Sequence, residues 1–228
     1  MKPEEWHFGF GWWGTDLSNI LVDVRPRVGT YGRYDFEMLP ELPFELKGDF
    51  LWLEQAATPD DSIANDRNKF ANLDSFFDLK EFCQKNAISL PESFVRFLES
   101  PLRDKVRSNT DCYLSVCPEA IVSPLGDGYL IRFLADSQGC IFWYLFLSKN
   151  CKDHAVLSSP AFYGTKEESP EDGEQDPNDL VFNAGSFEEF MCRYWLENEI
   201  WFADYEETQM PEAGEIYLQA YRAQSQIQ

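Results

Sequence analysis

Carboxylates are the chemistry this sequence offers in quantity. Seven of them fall in the stretch TKEESPEDGEQDPND, Thr165 to Asp179, against a single lysine. Paired carboxylates can serve as general acid and base, but among 40 acidic residues any chosen pair is uninformative. Asp172, Glu174 and Asp176 have the alternate spacing of the first ligands of a calcium loop. Pro177 stands where that loop needs glycine, however, and Asn183 where it needs a bidentate glutamate, so a solvated charge run is the better reading. The only imidazoles are His7 and His154, and neither lies in a motif for nucleophilic catalysis. Cys151 is near His154 in sequence, but in a turn, and a dyad is defined by spatial geometry. Gly9, Gly11 and Gly14 formally match a dinucleotide fingerprint; no strand precedes them, and Trp12 and Trp13 would crowd a pyrophosphate. No catalytic, cofactor or metal site is expected, and the chain reads as a non-enzyme.

The charge balance directs attention to a surface. With 19 basic and 40 acidic residues the net charge is −21, which repels nucleic acid and anionic membranes and favours a basic protein partner. The expected partner-binding residues are Glu167, Glu168, Glu171, Asp172, Glu174 and Asp176 in the acidic loop. Glu188 and Glu197 join them as the outer, solvent-facing side of the helix that follows. Such a face would steer a basic partner, and aromatic anchors among Trp6, Trp12, Trp13, Trp195 and Trp201 would supply tight contact. Arg132, Asp136 and Lys149 interrupt the best candidate for a membrane span, and no signal-peptide pattern is seen, so a cytoplasmic location is expected. The six cysteines include no CxxC pair and read as buried reduced thiols.

These residues must be carried by a scaffold, and its centre is GYLIRFLADSQGCIFWYLFLSKNCKDHAVLSS, Gly128 to Ser159. Two long apolar runs broken by a turn read as paired strands, with a third after Asn150. Ile141, Trp143, Leu145 and Leu147 alternate with Cys140, Phe142, Tyr144 and Phe146, so both faces of the second run are apolar and the strand should be central. Shorter strands are expected at Asp111 to Cys117 and Glu119 to Ser123, joining an antiparallel meander, and in the N-terminal third at Asn19 to Val24, Tyr31 to Glu37 and Asp49 to Glu54. Thr58 to Asn68 reads as a linker. A helix should open on an Asp78–Glu81 capping box, a second at SLPES with Phe94, Phe97 and Leu98 on its stripe, and a third on a Ser186–Glu189 box. A last helix is expected over Glu212 to Ala223. The fold class is α+β, with a mostly antiparallel central sheet packed by helices.

The Leu-Pro-x-x-Phe-x-x-Phe-Leu helix (Leu90 to Leu98), the strands through Leu147 and the closing Ser-Phe-x-x-Phe helix (Ser186 to Phe190) resemble the SUKH superfamily of yeast cell-wall synthesis regulators and bacterial toxin-immunity proteins. The resemblance runs from about Asp74 to Phe202. It implies a SUKH-like domain over residues 69–228 behind a strand-rich N-terminal extension over 1–68, acting as a non-catalytic protein-binding module. The role it favours is an immunity protein that neutralises a cognate, basic nuclease-type toxin by direct binding. An intracellular regulatory adaptor, or a carboxylate-dependent hydrolase with a desolvated acid pair in a deep pocket, are the alternatives.

Overall fold

The computed structural model describes residues 8–21, 24–25, 31–54, 56, 73–165, 167–168 and 176–225. The two long apolar runs form the expected hairpin, Gly128–Ala135 (β6) and Phe142–Ser148 (β7), and His154–Ser159 (β8) continues the meander. The hairpin turn is fixed by Asp136, whose carboxylate accepts from Gln138 N at 3.2 Å and Cys140 N at 2.8 Å. Beyond β8 lies Val181–Ala184 (β9), antiparallel to it, and Gly9–Phe10 (β1) adds to β9 in parallel. At the other edge Tyr113–Leu114 (β4) and Ile121–Val122 (β5) pair with successive halves of β6. The fold is α+β around a mixed, mostly antiparallel sheet.

Alternation along β7 divides the interior as the sequence suggests. Ile141, Trp143, Leu145 and Leu147 face the larger core, while Tyr144 and Phe146 face a smaller one with Phe8, Leu130, Leu157, Tyr163 and Phe182. The larger core is roofed by the helices Asp74–Lys85 (α2), Glu92–Glu99 (α3) and Phe187–Tyr205 (α4). Phe187 is its hub: its ring lies 5.0 Å from that of Phe94, 5.2 Å from Phe133 and 5.6 Å from Phe97, in edge-to-face geometry. Such pairs add about 0.5–1.5 kcal/mol each beyond the area they bury. α3 presents Phe94, Phe97 and Leu98 inward as read from its stripe, and Ser186 caps α4 by accepting from Glu189 N at 3.1 Å.

Several expected elements differ. α2 begins at Asp74, a turn before the Asp78–Glu81 box, because burying Phe76 and Leu79 together requires that turn; Leu73 caps it without a side-chain bond. Residues 49–54 form no strand. Phe50 adopts a left-handed φ of 59°, and Leu51–Glu54 (α1) coils behind it. The reason is Glu188, whose carboxylate accepts from Gly48 N, from Phe50 N at 2.8 Å and from Trp52 Nε1 at 3.2 Å. Nor do the described residues of 19–24 extend: Leu21 N bonds Leu17 O and Arg25 N bonds Leu21 O, which are helical turns. Trp12–Thr15 (β2) and Tyr31–Tyr34 (β3) do pair, as a separate small sheet. The linker proposed at Thr58 to Asn68 lies outside the described residues.

The largest correction concerns α4. Glu188 and Glu197 were expected on a negative face toward solvent, yet both are buried, as is Arg193. The N-terminal chain and the last helix, Glu212–Ser225 (α5), cover that side. Glu197 is fully enclosed: Arg25 Nη1 reaches its Oε1 at 3.2 Å, Tyr217 of α5 donates to Oε1 at 2.9 Å, and Trp12 Nε1 donates to Oε2 at 2.9 Å. Arg193 donates to Tyr217 Oη at 3.0 Å and to Pro40 O at 2.9 Å. Burial works against the charge on Arg25, and Glu197 together with the Tyr221, Tyr34 and Tyr217 phenols outweighs it, so the net shift is upward. The third glycine of the apparent dinucleotide motif has its explanation here. A Cβ on Gly14 would collide with the Trp12 indole and stand 2.7 Å from Glu197 Oε2.

Removing one member of a buried pair strands the other, at a cost of about 3–5 kcal/mol. Glu197→Ala is expected to lose about that much in urea unfolding, whereas Arg25→Met/Glu197→Leu, which removes both charges, is expected to recover much of the loss. Strictly additive losses in the double variant would show that the two side chains are not coupled.

Candidate functional site

With Glu188 and Glu197 inside, the acidity that meets solvent has to be sought elsewhere. One end of the acidic segment is held by the sheet. Arg132, on β6, is 4% exposed; its Nε donates to Ser115 O at 3.1 Å and to Ser115 Oγ at 3.0 Å, and its guanidinium lies 4.4 Å over the Phe162 ring. Its Nη2 donates to Glu168 Oε1, and Glu168 Oε2 accepts from Thr165 N at 3.0 Å and Cys117 Sγ at 3.5 Å. Burial alone pushes the Glu168 carboxyl up, but Arg132 and the Thr165 amide outweigh it, so the net shift is downward. The Cys117 thiol is pushed up to about 11, chiefly by burial. Glu168 is therefore an anchor of the fold, and its neighbour Glu167 is left exposed.

Glu167 borders two adjoining concavities. One, about 500 Å³, lies between residues 118–122 and Gly164, Thr165 and Glu167; the other, about 380 Å³, continues past Pro118 and Glu119 to Asp78, Glu81, Phe82 and Lys85 of α2. The groove so formed carries four exposed carboxylates, Asp78, Glu81, Glu119 and Glu167. Its lysine, Lys85, is paired with Glu81 at 2.7 Å across one helical turn. Beside it Val122 is 69% exposed.

The remaining loop residues separate. Asp176 is exposed but uses its carboxylate locally, accepting from Asn178 N at 2.9 Å and Asn178 Nδ2 at 2.8 Å. Glu171, Asp172 and Glu174 lie outside the described residues, and so do His7 and Trp6. Of the aromatic anchors considered, Trp12 and Trp195 are buried, while Trp13 and Trp201 are half-buried. The groove acids on α2 and Glu119 were not foreseen as site residues. Asp78 and Glu81 read as a cap, Glu119 as the start of a strand, and their separation by more than 30 residues leaves no local spacing to find.

Cys151 and His154 do share a cavity, of about 330 Å³, with Lys47, Arg96 and Lys152. They form no hydrogen-bonded dyad: His154 Nε2 has no partner, and Cys151 occupies a left-handed turn position at φ 53°. Burial lowers the His154 pKa below its usual 6.5, against the smaller opposing effect of Asp153. The folded state therefore binds fewer protons than the unfolded chain below about pH 6.5, and stability should fall as pH drops through that value. His154→Gln is expected to flatten the difference in unfolding free energy between pH 7.5 and 5.5; an unchanged slope would assign it to other groups.

No family model, curated protein or solved structure matches the chain.

Proposed function

We propose that the protein is a non-catalytic, stoichiometric binding module that takes a basic segment of a protein partner into the acidic groove. The observation that carries this reading is the groove's charge: among its described residues, four exposed carboxylates against one lysine, which is paired with one of the four, Glu81. On a chain of net charge −21, the long-range field and the local groove have the same sign. Together they speed encounter with a basic protein and disfavour nucleic acid and anionic lipid. No helix among the described residues is long and apolar enough to cross a membrane. The resemblance to SUKH proteins supports an immunity role within this reading, in which a basic toxin domain is bound in the cytoplasm and its substrate groove blocked. The two deeply buried carboxylates, Glu188 and Glu197, are committed to hydrogen bonds inside the core, which favours binding over acid–base chemistry.

The test is capture of partners from the native host by the wild-type chain and by Glu119→Lys/Glu167→Lys. A basic protein recovered stoichiometrically with the first should be depleted with the second. Its association rate constant should fall on the order of tenfold and lose most of its salt dependence, while dissociation changes less. Both residues are exposed, so the melting temperature should stay within a few degrees of wild type. Identical association kinetics would remove the groove from the mechanism.

A further inference from the structure

The groove runs along an unpaired strand edge. β5 is bonded on one side to β6, with Ile121 opposite Leu130 and Val122 opposite Tyr129, and no described strand covers its other side. Ser123 N donates to Gly128 O at 2.9 Å. Inward- and outward-pointing backbone groups alternate in an antiparallel ladder, so Ser123 and Ile121 turn toward β6 and Val122 presents its N–H and C=O to the open side. Val122 is 69% exposed as a whole residue, and residues 118–122 line the cavity of about 500 Å³ together with Gly164, Thr165 and Glu167.

We propose that the partner enters as an extended strand, pairing its backbone with the open edge of β5 and placing lysine or arginine side chains against Glu119 and Glu167. The inference rests on the reading of the groove as the site for a basic partner and adds the mode of binding. Three features agree with a strand. The edge supplies a donor and an acceptor, which a helix has no use for, since its own backbone groups are bonded internally. The concavity extends beside the edge as a trough and continues to Asp78 and Glu81. Successive same-face side chains of a strand, about 7 Å apart, can address carboxylates spread along such a trough. A second copy of this chain is the poorer occupant, because pairing two β5 edges would bring Glu119 and Glu167 against their own equivalents. Charged side chains at an edge are a common guard against self-pairing, and here they also select the opposite charge.

The probe is a fluorescent peptide of alternating lysine and valine, about nine residues long, enough for a strand of about 30 Å. Its control has the same sequence and charge but N-methyl groups on the central backbone amides. Binding of each to the full chain is measured by anisotropy, with hydrogen exchange of the Val122 amide followed in parallel. The unmodified peptide is expected to bind at least roughly tenfold more tightly than its control, the effect of losing about two backbone hydrogen bonds, and to slow exchange at Val122. Val122→Pro, which removes the outward N–H, should reproduce the loss; should that variant unfold, the methylated peptide still decides. Equal binding of both peptides, abolished by Glu119→Lys/Glu167→Lys, would overturn the strand mode and leave the acidic groove standing. Discrimination between the peptides that survives the charge reversal would uphold the strand mode and remove the charge argument. If neither peptide binds, both readings fall.

Discussion

Glu197 is a carboxylate without access to solvent, and such a charge is tolerable only where a cation and hydrogen-bond donors are brought to it. Those partners come from opposite sides of the sequence: Trp12 and Arg25 near one end, Tyr217 near the other. Their convergence fixes where the N-terminal segment crosses α4 and where α5 lies down on it. Arg25 sits 3.2 Å above the Tyr34 ring and 5.6 Å from that of Tyr221, so the same cation also ties β3 and α5 to the cluster. Burial of Glu188 works similarly in the first turn of α4, where it gathers the amides that shape residues 48–52. The two acids organise the cover over α4, and through it the position of the sheet beneath.

How much of this was legible follows from the kind of signal each part leaves. The β6–β7–β8 meander and the stripe of α3 are local periodicities, and they appear in the structure where the alternation of Ile141 to Leu147 and the spacing of Phe94, Phe97 and Leu98 place them. The orientation of α4 departs from the sequence expectation, in which residue type alone turns its acids to solvent. A different pattern was present: Met191–Cys192 and Trp195–Leu196 are adjacent apolar pairs, which widen the stripe beyond one face and mark a helix covered on all sides. The segments 19–24 and 49–54 have strand-like composition, but the conformation of their described residues is set by Arg25 and Glu188 contacts that span more than 130 residues of sequence. Tertiary partners override propensity there, and no local window contains them.

The acidic groove shows the same division. Its position depends on Arg132, a buried cation on the central sheet whose exchange with Glu168 holds the root of the acidic segment beside residues 118–122. The sequence announces the charge of that segment without its address. Once the address is known, the acids sort by function: Glu168 is consumed in anchoring and Asp176 in capping, while Glu167, Glu119, Asp78 and Glu81 stay exposed along one trough.

That sorting bears on what kind of activity the molecule supports. A catalytic carboxylate needs a desolvated pocket open to substrate. Among the described residues the buried carboxylates are Asp136, which holds the β6–β7 turn, and Glu188 and Glu197, which face inward onto amides, indoles, a phenol and a guanidinium, while Asp78, Glu81, Glu119 and Glu167 face solvent along the trough. In the proposed reading, a trough of like charges beside an open strand edge holds an extended, oppositely charged chain. Rigid support comes from β6, which the sheet brackets on both sides and which carries both Arg132 and the pairing partner of β5. The proposed binding surface thus inherits its geometry from the central sheet, while its charges are drawn from α2 and from the loops at Glu119 and Glu167.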